Sequence, residues 1–178
     1  MTTAVLVIDT QQALCEGERG AYDAEGLVRR FNAITQQARQ AGAPVIFVQH
    51  EAEGTELAHG SPGWQLAAGL HVEAADLRVP KKTADAFLRT NLSDLLEGRH
   101  VRRLVVCGMH TEFCIDTTVR RALALGYPVT LVADGHTTTG NGVLPPALVI
   151  AHHNATLSAI TSFGPRVTTP TADALRID

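Results

Sequence analysis

Cys114 lies in the run Gly108-Met109-His110-Thr111-Glu112-Phe113-Cys114-Ile115 and is the side chain best placed for nucleophilic chemistry. It follows an apolar run, Leu104-Val105-Val106-Cys107, and precedes a pattern in which Ile115, Val119, Ala122 and Leu123 share one helical face. Gly126 and Pro128 supply the stop. Thr111 reads as the N-cap, which puts Cys114 at the third helical position, where unpaired N–H groups and the helix dipole favour a thiolate. A free thiol titrates near ~8.5, so a nucleophile at neutral pH needs such help. Two more reactive groups end apolar runs. Asp9 closes Ala4-Val5-Leu6-Val7-Ile8, and Lys81 or Lys82 follows Leu77-Arg78-Val79-Pro80. Each alone is ordinary: an Asp caps turns, a Lys is solvated, a Cys fills a core. At one rim of a sheet the three become a nucleophile, a proton carrier and a cation, the components of covalent acyl transfer.

The elements that must position them alternate. The run from Ala4 to Ile8 reads as a strand buried on both faces, and Leu27, Phe31, Ile34 and Ala38 mark a helix ended by Gly42 and Pro44. Val45-Ile46-Phe47-Val48 is a second buried strand, and Leu77–Pro80 is a strand near a sheet edge, because proline cannot serve a central ladder. A short helix at Leu92–Leu96, a strand at 104–107, a helix at 112–125, a strand at 129–133, a helix near 143–153 and a strand near 156–161 complete the alternation. The tail from Pro165 reads as a surface extension. This pattern predicts one α/β domain over residues 1–178, a Rossmann-like three-layer α/β/α fold on a mostly parallel sheet of about six strands. Residues 50–76, with Gly60-Ser61-Pro62-Gly63 and Trp64, follow no pattern.

Composition narrows the class. The chain has 178 residues, 45% of them hydrophobic and 19% charged, which is enough for a folded core. A net charge of −3 without a basic run argues against nucleic acid and anionic membranes as partners. Three cysteines make no disulfide framework and point to a reducing, cytoplasmic setting; Cys107 reads as inert core and Cys15 as incidental. Neither a signal segment nor a bilayer-length apolar run is visible.

Four blocks resemble the isochorismatase-like cysteine hydrolases, the family that includes nicotinamidases and N-carbamoylsarcosine amidohydrolase. Val5-Leu6-Val7-Ile8-Asp9-Thr10-Gln11 is similar to the family's strand ending in Asp-x-Gln. Val79-Pro80-Lys81 through Phe87 and Thr90-Asn91-Leu92 is similar to its lysine, with Phe six positions on and then Thr-x-Leu. Gly108 to Cys114 is similar to its glycine, threonine and nucleophile. Ala122 through Gly126-Tyr127-Pro128-Val129 to Asp134 is similar to the helix, strand and acidic turn beyond that nucleophile. The spacing to Phe87 favours Lys81 over Lys82. Leu14 stands where the family often has Phe, and Ile115 where it often has Val.

The resemblance implies a triad: Cys114 attacks, Asp9 moves protons and Lys81 stabilises the thiolate. An oxyanion hole is also needed, each donor being worth roughly 3–4 kcal/mol. The Cys114 N–H is the natural first donor; the resemblance implies that the His110 N–H, presented by a cis Met109–His110 peptide, is the second. Candidate substrate contacts are Gln11, His50, Trp64, Phe87, Thr111 and Phe113. The nicotinamidase branch binds a metal through Asp-x-His, but here Val48-Gln49 precedes His50, and no His pair has HxH or HExxH spacing. No metal and no cofactor are therefore expected. The expected activity is C–N bond hydrolysis of a small amide or ureido compound through a thioester. Vinyl ether hydrolysis of the isochorismatase kind, or a silent binding or assembly role, are the alternatives. A homo-oligomer, dimer or tetramer, is expected from the family.

Overall fold

The structure, a computed structural model, describes residues 2–17 and 20–177. Residues 18 and 19, in the loop expected between Gly17 and Gly20, lie outside the described residues. Six strands form one parallel sheet: β1 (Thr3–Ile8), β2 (Val45–His50), β3 (Leu77–Lys81), β4 (Arg103–Met109), β5 (Val129–Thr137) and β6 (Val167–Thr168), in the order β3-β2-β1-β4-β5-β6. This is a doubly wound sheet, reversing direction at β1 and β4. The side-chain period of two sends alternate residues to opposite faces. Leu6, Ile8, Ile46, Val48, Leu104 and Val106 pack on one side against α3 (Leu92–Glu97), α4 (Asp116–Ala124) and α5 (Pro146–Ser158). Val5, Val7, Phe47, Val105 and Cys107 pack on the other against α2 (Ala24–Gln40), whose Leu27, Phe31, Ile34 and Ala38 form its buried stripe. A short helix, α1 (Gln12–Cys15), comes directly after β1.

Pro80 sits on the edge strand β3, where its missing N–H costs no ladder bond. Gly108 is required where β4 lies beside Ile8 of β1: it has φ +127°, and a Cβ there would overlap the carbonyl oxygen of Ile8.

Four expectations need correction. The strand expected near 156–161 is absent, because α5 continues to Ser158. Ala155-Thr156-Leu157-Ser158 alternates like a strand, yet no breaker interrupts the helix, and Leu157 lies eight residues after Val149 on the same buried side. That helix begins at Pro146 rather than near 143, since Pro145 and Pro146 set its start. The sixth strand is instead Val167–Thr168, inside the segment read as a surface extension. The tail beyond it packs home as well: Leu175 is buried, and Ala133 N–H donates to the Pro170 carbonyl at 2.8 Å. The helix expected over 112–125 is two pieces, a π turn at Thr111–Ile115 and then α4.

Candidate active site

In a parallel sheet all strands end on one rim, and four adjacent strands deliver the polar groups there. Asp9 follows β1, His50 ends β2, Lys81 ends β3 directly opposite His50, and the π turn carrying Cys114 follows β4. Asp9 adopts φ 53°, a left-handed conformation uncommon outside glycine, of the kind that collects at functional sites.

Lys81 is the hub. Its side chain is 0% exposed and that of Asp9 is 2% exposed. An ammonium has three protons and no lone pair. Lys81 Nζ donates to Asp9 Oδ2 at 2.7 Å and to the Thr83 carbonyl at 3.1 Å. The remaining proton faces two acceptors, His50 Nδ1 and Cys114 Sγ, each at 3.2 Å. Lys82, by contrast, is exposed. Asp9 Oδ1 is buried and has no hydrogen-bond partner among the described residues.

The charge state of the thiol differs from the expectation. Burial pushes the Cys114 thiol up to about 12; Asp9 adds to this by its charge and as acceptor of the thiol proton, and Lys81 opposes it. The dipole argument fails at its premise as well. Thr111 is no N-cap: the cap residue is His110, with no side-chain cap bond, and Cys114 is the fourth residue of a π turn. In the resting site the proton therefore stays on sulfur. Burial also lowers the pKa of His50, with Lys81 acting in the same direction, and burial lowers that of His110. Both imidazoles are neutral at neutral pH.

The π turn leaves a particular gap. The His110 carbonyl accepts the N–H groups of Phe113 at 3.1 Å and Ile115 at 3.2 Å and passes over that of Cys114. The peptide between Met109 and His110 is cis.

The candidate substrate contacts separate by what they touch. His50 touches Lys81, and Phe113, 59% exposed, neighbours Cys114 in the turn. Three others are used elsewhere. Gln11 is fully buried and acts as a brace: its Nε2 donates to the carbonyls of His50 and Trp64, both at 3.0 Å, and its Oε1 accepts the His50 N–H. Phe87 is a core residue stacked on Tyr127. Thr111 is wholly buried, with its hydroxyl committed to His136 Nδ1 at 2.9 Å. Trp64 is half-buried, and its ring lies against His59.

Sequence reasoning missed His136 and Asn154, which bond to each other at 3.0 Å; neither carries a local signal. A cavity of about 740 Å³ is lined by Gln12, Glu16, Ser61 and Pro62 and by none of the three reactive groups, so chemistry, not hollow size, identifies the site. Among the described residues no group of three His, Cys, Asp or Glu side chains is arranged to hold a metal, and no helix is long and apolar enough to cross a membrane.

A doubly wound parallel sheet that presents a thiol, an ammonium and a carboxylate on one rim defines an α/β protein with a cysteine-centred polar site. Residues 3–168 match the isochorismatase domain family, and the chain belongs to it. It is 37% identical over 136 residues to a streptothricin hydrolase of Streptomyces noursei, a match covering 76% of this chain but 54% of that protein, so the chain spans about half the length of that relative. It is 26% identical to the ureidoacrylate amidohydrolase of Caulobacter vibrioides over 75% of this chain and 76% of that one. A crystal structure of an isochorismatase family protein superposes with a TM-score of 0.85 at 37% identity, covering 94% of this chain and 98% of the other.

Proposed function

We propose that the chain is a cysteine hydrolase that cleaves a C–N bond of a small amide or ureido compound. The observation that carries this reading is the bridge at Lys81, whose Nζ lies 2.7 Å from Asp9 Oδ2 and 3.2 Å from Cys114 Sγ. Asp9 takes the thiol proton as sulfur attacks the carbonyl carbon, and Lys81 holds the charge that develops on sulfur. This order suits a thiol whose resting pKa is raised: the thiolate forms during attack rather than before it. The Cys114 N–H, passed over by the His110 carbonyl, stabilises the tetrahedral oxyanion together with the His110 N–H. Asp9 then gives its proton to the leaving nitrogen, the C–N bond breaks and a thioester remains. Water attacks the thioester, Asp9 accepts the water's proton, and sulfur is released and reprotonated. His50 and Phe113 contact the substrate at the rim.

The names of the relatives support the reaction class, since one is an amidohydrolase and another a hydrolase. Self-association belongs to the same proposal. From Gly135 to Pro165 the sequence has no Asp, Glu, Lys or Arg, and Val143 and Leu148 in this stretch are exposed. The experiment is a screen of small amides, ureido acids, nicotinamide and isochorismate, with intact mass read in rapidly quenched mixtures. A hit should add an acyl mass to Cys114, and Cys114→Ala should abolish hydrolysis. Full hydrolysis by Cys114→Ala would sink the mechanism.

A further inference from the structure

A chain of hydrogen bonds, buried at its Thr111 and His136 end, leads from α5 to the turn that carries Cys114, and its polarity can be read from end to end. Asn154 on α5 donates Nδ2 to the Ala133 carbonyl at 2.9 Å. Its Oδ1 is therefore the acceptor that faces His136 Nε2 at 3.0 Å, and Nε2 carries the hydrogen. In a neutral imidazole Nδ1 is then a bare lone pair. Thr111 Oγ1 stands 2.9 Å from it, so the hydroxyl donates. His136 and Thr111 are 1% and 0% exposed, and burial holds the imidazole neutral by lowering its pKa to about 4. Each polar atom of the chain has one role, which makes the arrangement directional and single-valued.

This matters because of where Thr111 sits. It opens the π turn whose fourth residue is Cys114, and the turn has no side-chain cap of its own. Its side-chain ties to β5 and the residue just beyond it are made by consecutive residues. Thr111 bonds to His136 within β5, and Glu112 Oε1 accepts from Thr138 Oγ1, just beyond β5, at 2.8 Å. Of the two, the Thr111 tie is fully buried and is fixed at its far end by Asn154. We propose that His136 is a positioning residue for Cys114. By accepting the Thr111 hydroxyl it sets the seating of the turn on β5, and so keeps Sγ within 3.2 Å of Lys81 Nζ. The idea rests on the reading that Cys114 is the nucleophile, but it concerns the placement of the thiol and can be measured without a substrate.

The test is the second-order rate of Cys114 alkylation by iodoacetamide at pH 9, with peptide mapping to locate the adduct and a melting temperature for each variant. His136→Asn puts an amide oxygen where Nδ1 was and keeps the acceptor. His136→Gln keeps a donor for Asn154 at the Nε2 position and loses that acceptor. Thr111→Val removes the donor and leaves His136 untouched, while Thr111→Ser restores the hydroxyl. Loss of the contact with Lys81 raises the thiol pKa further, so His136→Gln and Thr111→Val should alkylate about five- to tenfold more slowly. His136→Asn and Thr111→Ser should stay within about twofold of the parent. Rates that track melting temperature instead of sorting by the retained atom would overturn the proposal, as would equal rates throughout. Failure of the hydrolase reading shows separately, as hydrolysis surviving in Cys114→Ala.

Discussion

Replacing Lys81 by methionine separates what the buried pair does for the fold from what it does for chemistry. Methionine fills much of the same volume and removes the ammonium. Asp9 would then be left as a buried carboxylate with one oxygen already lacking a partner and the other losing its 2.7 Å contact. Stranding one member of a buried ion pair costs about 3–5 kcal/mol. At roughly 2–4 °C per kcal/mol for a chain of this size, the melting temperature should fall by roughly 6–20 °C. The double variant Asp9→Asn with Lys81→Met removes both charges, and it should recover about 2 kcal/mol or more of that loss while remaining inactive. Urea denaturation monitored by circular dichroism gives the stabilities, and the most active amide from the screen gives the rates. The reasoning is refuted if Lys81→Met loses less than about 1 kcal/mol, or if the double variant is no more stable than the single one.

Other outcomes hang on single features. Because burial depresses the His136 pKa from 6.5 to about 4, the unfolded chain takes up this proton first as pH falls. The stability it contributes is complete above pH 6.5 and fades toward pH 4, by roughly 3 kcal/mol at ~1.4 kcal/mol per pKa unit. Urea titrations at pH 7.5, 5.5 and 4 should show a shallower decline in His136→Asn than in the parent, and parallel declines would contradict this. With its thiol pushed up to about 12, Cys114 should alkylate slowly at pH 7 and speed up through pH 10 without levelling; a plateau below pH 8 would mean a resting thiolate. Gly108→Ala should cost about 3 kcal/mol or more, seen as lost soluble yield or melting temperature, since its Cβ would meet the Ile8 carbonyl. Leu148→Glu should shift the chain toward monomer in light scattering after size exclusion if exposed α5 is where copies meet.

Much of the frame is written in short patterns. The apolar runs of β1, β2 and β4 and the stripe of α2 come from periodicities that neighbours reinforce, and Asp9, Lys81 and Cys114 are visible because parallel strands end together. What escaped depends on contacts distant in sequence. Val167–Thr168 is too short to carry a period, and its strand exists because β5 lies beside it. The π turn arises from one carbonyl skipping one N–H, which no residue type announces. Thr111 has the composition of a cap, yet a histidine 25 residues further on claims its hydroxyl. The direction of the Cys114 shift could not be read locally either, because desolvation outweighs the cation next to it.

The amide of Gln11 has a consequence for how such a protein diversifies. The long irregular segment between β2 and β3 is pinned along residues 63–67: the Trp64 carbonyl accepts from the side chains of Gln11 and Gln49, the Gly63 and Gln65 carbonyls accept the N–H groups of Ala13 and Gln12, and Ala67 N–H donates to the Thr10 carbonyl. Gln11 belongs to the segment just after β1, so the pin is set by the scaffold and not by the loop. Gly63 beside Trp64 has no room for a side chain, but exposed residues ahead of the pinned stretch, such as Glu53 and Glu56, can vary in size and charge while it stays where it is. A lineage with this brace can therefore change the exposed face of the loop without moving the polar rim at Asp9, Lys81 and Cys114 out of register.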